Sequence, residues 1–133
     1  MGFGKGGRNG ASSLQGICAL VVEDNWQIAD ALKLSLEKLG MVVVGPVATP
    51  GEARRMAAER RSQVAIVDVN LKGEMGYDLM DWLHHRDTRV IVISGYEDLP
   101  PYLEKFAAVL HKPFTAKKLL TTLQRVMERY PTP

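Results

Sequence analysis

Five short runs in which nearly every residue is apolar, separated by stretches with a helical period, restrict this chain more than any other feature. The runs are Ile17–Val22, Val42–Val47, Val64–Val67, Arg89–Ile93 and, more weakly, Ala107–Leu110. They are rich in β-branched residues, and a strand apolar on both sides needs cover on both faces, as in a parallel sheet. Between them Ile28, Leu32, Leu36 and Leu39 repeat on one helix face, as do Ala53, Met56 and Ala57, then Leu79, Met80 and Leu83, then Leu120, Leu123, Met127 and Tyr130. Thr49-Pro50-Gly51-Glu52 supplies a capping hydroxyl, a first-turn proline and a Glu three residues after the cap, and Thr115 caps the last helix. Pro100 and Pro101 leave only Tyr102 to Phe106 for a helix before the fifth strand. The pattern predicts an α/β domain with a doubly wound, five-stranded parallel sheet.

The chain has 133 residues, enough for one domain with a core that needs no disulfide or structural metal. Residues 17–130 are expected to fold, with a flexible leader over 1–16 and a short tail over 131–133. That leader carries six of the twelve glycines together with Lys5 and Arg8. From Ile17 onward 15 basic residues face 15 acidic ones, so the folded part has no basic footprint for nucleic acid. No apolar stretch reaches the length that spans a bilayer. A cytoplasmic protein with no membrane or nucleic-acid partner is expected, with Cys18 as a small buried hydrophobe.

Sheets of this kind bind ligands outside the carboxyl ends of their strands. Glu23 and Asp24 follow the first run, Asp68 the third, Ser94 the fourth and Lys112 the fifth. Asp24 and Asp68, helped by Glu23, offer hard oxygen ligands suited to Mg²⁺. Lys112 adds a compact positive charge and Ser94 a hydroxyl, both fit to meet phosphoryl oxygens. A carboxylate is the available acceptor for such a group, and position and partners favour Asp68.

With these residues in place, the sequence resembles a bacterial response-regulator receiver domain from Ile17 to Arg129. Val21-Val22-Glu23-Asp24-Asn25, Asp68-Val69-Asn70-Leu71, Ser94-Gly95-Tyr96 and His111-Lys112-Pro113-Phe114 carry the resemblance by their order and spacing. It implies a flavodoxin-like (βα)5 fold with strand order 2-1-3-4-5. It also implies that Asp68 accepts a phosphoryl group from the phosphohistidine of a sensor histidine kinase or histidine phosphotransfer protein. Mg²⁺ would be held by Asp24, Asp68 and the backbone carbonyl of Asn70, with Glu23 acting through water. Ser94 would move toward the phosphoryl group, Lys112 would pair with it, and the Lys112–Pro113 bond would be cis. The domain would be a signalling device, not an enzyme that turns over a separate substrate.

Two departures from the family pattern stand out. Val109 occupies the place, three before Lys112, where an aromatic switch residue usually stands. Together with Ser94-Gly95-Tyr96 and the proline-broken helix, it is similar to a receiver subgroup whose fourth strand ends in a Phe-Ala-Thr-Gly-Tyr-like motif. Switching is then expected to run through Ser94, Gly95 and Tyr96, with Val109 as packing. Nothing but Pro131-Thr132-Pro133 follows Tyr130, so the signal is expected to leave through protein contacts. A docking surface is expected around the first and last helices, including Leu119, Val126 and Tyr130.

Other classes fit less well. A flavodoxin-like cofactor domain needs phosphate-cradling amides in its first loop, where Glu23-Asp24-Asn25 brings negative charge. An aspartate-nucleophile phosphatase commonly has a second acid two residues after its nucleophile, and that position is Asn70. A pseudo-receiver that binds partners without being phosphorylated is the alternative, against which the intact acid, hydroxyl and lysine set argues. His84, His85 and His111 read as helix-end or strand-end residues. Trp26 reads as a shield over a helix start, and Arg54, Arg55, Arg60 and Arg61 as a solvated face.

Overall fold

The computed structural model describes residues 14–96 and 99–129. The apolar runs form the parallel strands β1 (Cys18–Val22), β2 (Val42–Val47), β3 (Val64–Asp68), β4 (Arg89–Ser94) and β5 (Ala108–His111). They lie in the order β2-β1-β3-β4-β5, the flavodoxin-like arrangement of receivers. Both β3 and β4 run one residue past the apolar runs, so Asp68 and Ser94 are the last residues of their strands. The register sets Asp68 beside Ile93 and Ser94 beside His111.

Two apolar layers cover the sheet, as the both-sided strands require. Helices α1 (Trp26–Lys38) and α4 (Ala116–Arg129) pack Leu32, Leu36, Leu119, Leu123 and Val126 against one face. On the other face lie α2 (Pro50–Glu59), α3 (Tyr77–His85) and a 3₁₀ turn (Pro101–Lys105), contributing Ala53, Ala57, Leu79, Met80, Leu83 and Leu103. No described helix is long and apolar enough to cross a membrane. The Thr49 hydroxyl accepts from the Glu52 amide at 3.2 Å, and the Glu52 carboxylate accepts from the Ala48 amide at 3.1 Å. Such a cap contributes about 1 kcal/mol. Thr115 caps α4 in the same way, accepting from Lys118 at 3.0 Å.

Several expectations need correction. Leu14, inside the segment read as leader, is fully buried, because the Leu14–Gly16 turn folds back on Gly40 through a 2.8 Å backbone hydrogen bond. Residues 1–13 and 130–133 lie outside the described residues. The buried face of α4 is Leu119, Thr122, Leu123 and Val126, with Leu120 and Met127 only half-buried beside it. Thr122 is tolerated there because its hydroxyl donates to the Lys118 carbonyl at 2.8 Å. Leu119 and Val126 are therefore core residues and offer a partner nothing; Tyr130 lies outside the described residues. Trp26 is 74% exposed and shields little of α1. Cys18 is half-buried at the edge of the core. The Lys112–Pro113 bond is cis as the resemblance implied, and so is Gly45–Pro46, in edge strand β2 where a missing N–H is tolerated.

Candidate functional site

The turn after β1 is shaped by its own side chains. Asn25 ends the strand's acidic motif and caps α1, its Oδ1 accepting from the Gln27 and Ile28 amides at 3.0 and 3.2 Å. The Asn25 amide donates to Glu23 Oε2 at 3.0 Å, folding the Glu23 carboxylate inward, where only 2% of the residue is exposed. Burial pushes the Glu23 carboxyl up to about 7, against the opposing pull of the Asn25 amide and Lys112, and Asp68 adds repulsion.

Asp68 closes β3 beside it, 5% exposed. Its Oδ1 accepts from the Asn70 amide at 3.0 Å, and its Oδ2 meets Lys112 Nζ at 2.6 Å. The same ammonium lies 3.0 Å from Glu23 Oε1. Burial alone would lower the Lys112 pKa, but its hydrogen bonds to Asp68 and Glu23 outweigh burial and hold it above the ordinary lysine value. One oxygen from each of Glu23, Asp24 and Asp68 lies within 4.8 Å of the others, the only such grouping of metal-ligating side chains among the described residues. Three convergent carboxylates against one lysine leave a surplus of negative charge on hard donors, which fits a small divalent cation such as Mg²⁺. The site opens to solvent as a cleft of about 330 Å³ that Asn70, Gly95 and Tyr96 also line.

Sequence reasoning missed the device that holds Asp24. Asn70–Leu71 and Glu74–Met75 pair antiparallel across a two-residue turn, with Lys72 at φ 51° and Gly73 at φ 84°. Positive φ at both central residues is the geometry of tight hairpins, and Lys72-Gly73 was its only sequence signal. The turn directs the Lys72 amide onto Asp24 Oδ2 at 2.8 Å and the Gly73 amide onto Asn70 Oδ1 at 3.2 Å. Asn70 Nδ2 donates in turn to the Tyr96 hydroxyl at 3.3 Å, linking the hairpin to the end of β4.

Ser94 is completely buried, and its hydroxyl is held by the following turn. It accepts from the Tyr96 amide at 2.9 Å and donates to the Tyr96 carbonyl at 3.4 Å. Gly95 is exposed and Tyr96 is 43% exposed. Val109 is half-buried against the apolar layer that contains Leu103 and Phe106. The 3₁₀ turn is tied to α3 by the Tyr77–Tyr102 edge contact at 5.5 Å, by Lys105–Asp81 at 2.5 Å and by Phe106–His84 at 5.7 Å. His84 and His85 end α3 and His111 ends β5, exposed; none belongs to the carboxylate group.

A five-stranded doubly wound sheet with acids, a buried serine and a lysine at its carboxyl pole defines the receiver class of α/β signalling domains. Sequence comparison agrees: the response regulator receiver domain family matches residues 19–124, and the chain belongs to that family. No curated protein sequence matches it. Among solved structures it is similar to SdrG from Sphingomonas melonis Fr1, with 30% identity and TM-score 0.74 over 84% of this chain and 97% of that one. It also resembles the PhyR receiver domain from Erythrobacter litoralis, with 23% identity and TM-score 0.79 over 91% and 97% of the two chains. A mutant of the anti-anti-sigma factor PhyR from Bartonella quintana shows 22% identity and TM-score 0.77 over 90% of this chain, which spans only 52% of that one. The two PhyR likenesses speak for the fold alone.

Proposed function

We propose that this receiver accepts a phosphoryl group on Asp68 from the phosphohistidine of a sensor histidine kinase or phosphotransfer protein and passes the signal on by protein contacts. The observation that carries this reading is the Lys112 ammonium bridging Asp68 at 2.6 Å and Glu23 at 3.0 Å, at the carboxyl ends of β1, β3 and β5. In the transfer an Asp68 carboxylate oxygen supplies the electron pair for a new O–P bond. The donor's P–N bond breaks, and its electron pair stays on the imidazole nitrogen. Glu23, Asp24, Asp68 and the Asn70 carbonyl would hold Mg²⁺, which when bound neutralises charge between the carboxylates and the incoming phosphoryl oxygens.

Lys112 is already placed to follow a phosphoryl oxygen as Asp68 loses its negative charge at the bonded atom. Ser94 must release the Tyr96 carbonyl to donate to another. The proposed role is that of a phosphoacceptor in a signalling domain. Anti-anti-sigma activity is named for a PhyR chain about twice as long, and the downstream partner here is left as a protein surface.

Incubation with acetyl phosphate and Mg²⁺, read by intact mass, tests the proposal. One acid-stable, base-labile phosphoryl adduct is expected on the wild type and none on Asp68→Asn. An equal adduct on Asp68→Asn, or no adduct on the wild type with either acetyl phosphate or a phosphorylated histidine donor, overturns it.

A further inference from the structure

The opposite pole of the sheet, where β3 and β4 begin, carries a second polar cavity. It has a volume of about 240 Å³ and is lined by Leu20, Ala57 and Leu83 on its apolar side and by Arg61, Ser62, Arg86 and Thr88 on its polar side. Three observations there remain unexplained by packing.

The first is charge. None of the three ion pairs among the described residues involves Arg61 or Arg86, which stand exposed at the cavity's rim. Arg86 is nevertheless positioned, its Nη2 donating to the Ala57 carbonyl at 3.4 Å and its guanidinium lying 4.5 Å from the Trp82 ring centre. Arg89 stands next to them; burial, with the charge of Arg61, lowers its pKa, and its Nε is buried without a hydrogen-bond partner. The second is Ser62. Only 4% of this residue is exposed, and its hydroxyl has no hydrogen-bond partner, although its carbonyl accepts from Thr88 Oγ1 at 3.3 Å. A buried hydroxyl of this kind is unfavourable until an acceptor reaches it. The third is composition: the lining contains no carboxylate to answer the arginines.

From this juxtaposition we propose that the cavity binds a small oxyanion of the phosphate class, either inorganic phosphate or a short phosphate monoester. Arginine forks match phosphate oxygens in paired hydrogen bonds, and the unpartnered Ser62 hydroxyl, closed off from solvent as it stands, gains an acceptor in a further oxygen when its side chain turns into the cavity. The volume corresponds to about eight waters at roughly 30 Å³ each, room for a phosphate group with a short substituent against Leu20 and Leu83. A metal cation is excluded by the charge, and a nucleic acid by the size of the cavity and the balanced charge of the domain.

The site is independent of Asp68, so its test is run on the unphosphorylated full chain without Mg²⁺. Amide resonances are followed during titration with inorganic phosphate, and in a second arm with glycerol 3-phosphate, at constant ionic strength set with chloride. Saturating shifts are expected at Ser62, Leu83, Thr88 and Arg89 in at least one arm. Arg61→Gln combined with Arg86→Gln should weaken that binding by about tenfold or more, since each removes a charge-assisted hydrogen bond. Ser62→Ala should lose most of the phosphate-dependent rise in Tm without a fall in Tm in phosphate-free buffer, because the hydroxyl has no partner there to lose. Unchanged spectra elsewhere in phosphate-free buffer establish that the variants are folded. Shifts that rise linearly with both anions, or equal affinity in the arginine variant, overturn the proposal.

Discussion

Lys112 Nζ lies 2.6 Å from Asp68 Oδ2 and 3.0 Å from Glu23 Oε1, so a single ammonium bridges two carboxyl groups, one ending β3 and one just past β1, that are each at least nine-tenths buried. Breaking a fully buried pair costs ~3–5 kcal/mol, and water reaching the lysine reduces that figure. Lys112→Met should therefore destabilise the protein by roughly 2 kcal/mol in urea melts. Adding Mg²⁺ should recover part of the loss, since a divalent cation can take over the role of counter-charge. A melt unchanged by the substitution would show that the carboxylates do not depend on Lys112.

Glu23 gives the site a pH dependence of definite sign. Its carboxyl titrates near 7 in the fold against an ordinary 4.5, so between these values the native state holds a proton that the unfolded chain has released. Stability without Mg²⁺ should fall as pH rises through that window and level off above it, by an amount on the order of 3 kcal/mol. Glu23→Gln cannot release the proton. The difference between wild-type and Glu23→Gln urea midpoints, measured with EDTA from about pH 5 to about pH 8, should follow this fall.

Gly76 is the spacer behind the acceptor. A Cβ there would lie 2.9 Å from the Asp68 carbonyl oxygen, a backbone atom that cannot swing aside. Gly76→Ala should cost roughly 1–3 kcal/mol and slow acetyl-phosphate labelling by shifting the end of β3. Gly73→Ala provides the contrast. No atom lies within 4 Å of its Cβ position, so only its φ of 84° is strained, at about 1 kcal/mol, and labelling should be less affected.

Ser94 Oγ accepts from the Tyr96 amide at 2.9 Å and donates to the Tyr96 carbonyl at 3.4 Å, so turning its hydroxyl to a phosphoryl group on Asp68 gives up its hold on the Tyr96 backbone. Binding of beryllofluoride with Mg²⁺ should therefore raise amide exchange at Tyr96 and alter it along the 3₁₀ turn, which is held by its α3 contacts and by the burial of Leu103 and Phe106. Val109, stiff about its one side-chain torsion, should serve as packing only. Strong and equal protection at Tyr96 and across Leu99–Phe106 in both states would refute this route.

The amino-acid sequence by itself determined the alternation of strands and helices, because runs apolar on both sides have only a covered parallel sheet to occupy. It also determined the place of Asp68, Ser94 and Lys112, since the first two directly follow such a run, Lys112 comes one residue later, and a strand's end fixes where the next side chains emerge. Tertiary structure decided what non-local contacts control. The hairpin that holds Asp24 needs Lys72 at positive φ, a conformation that lysine does not announce. Leu14 is buried because Gly40, 26 positions away, receives its turn. On α4, Leu119 and Val126 lie in the core and Leu120 and Met127 at its edge, because packing against the sheet and α1 selects one arc of a helix that is apolar over a wider one. Arg61 reads along the chain as part of a solvated face, and nothing in the sequence links it to Arg86. Only folding sets them around one buried hydroxyl, with 24 residues of helix and strand between them bringing the two ends of the polar wall together.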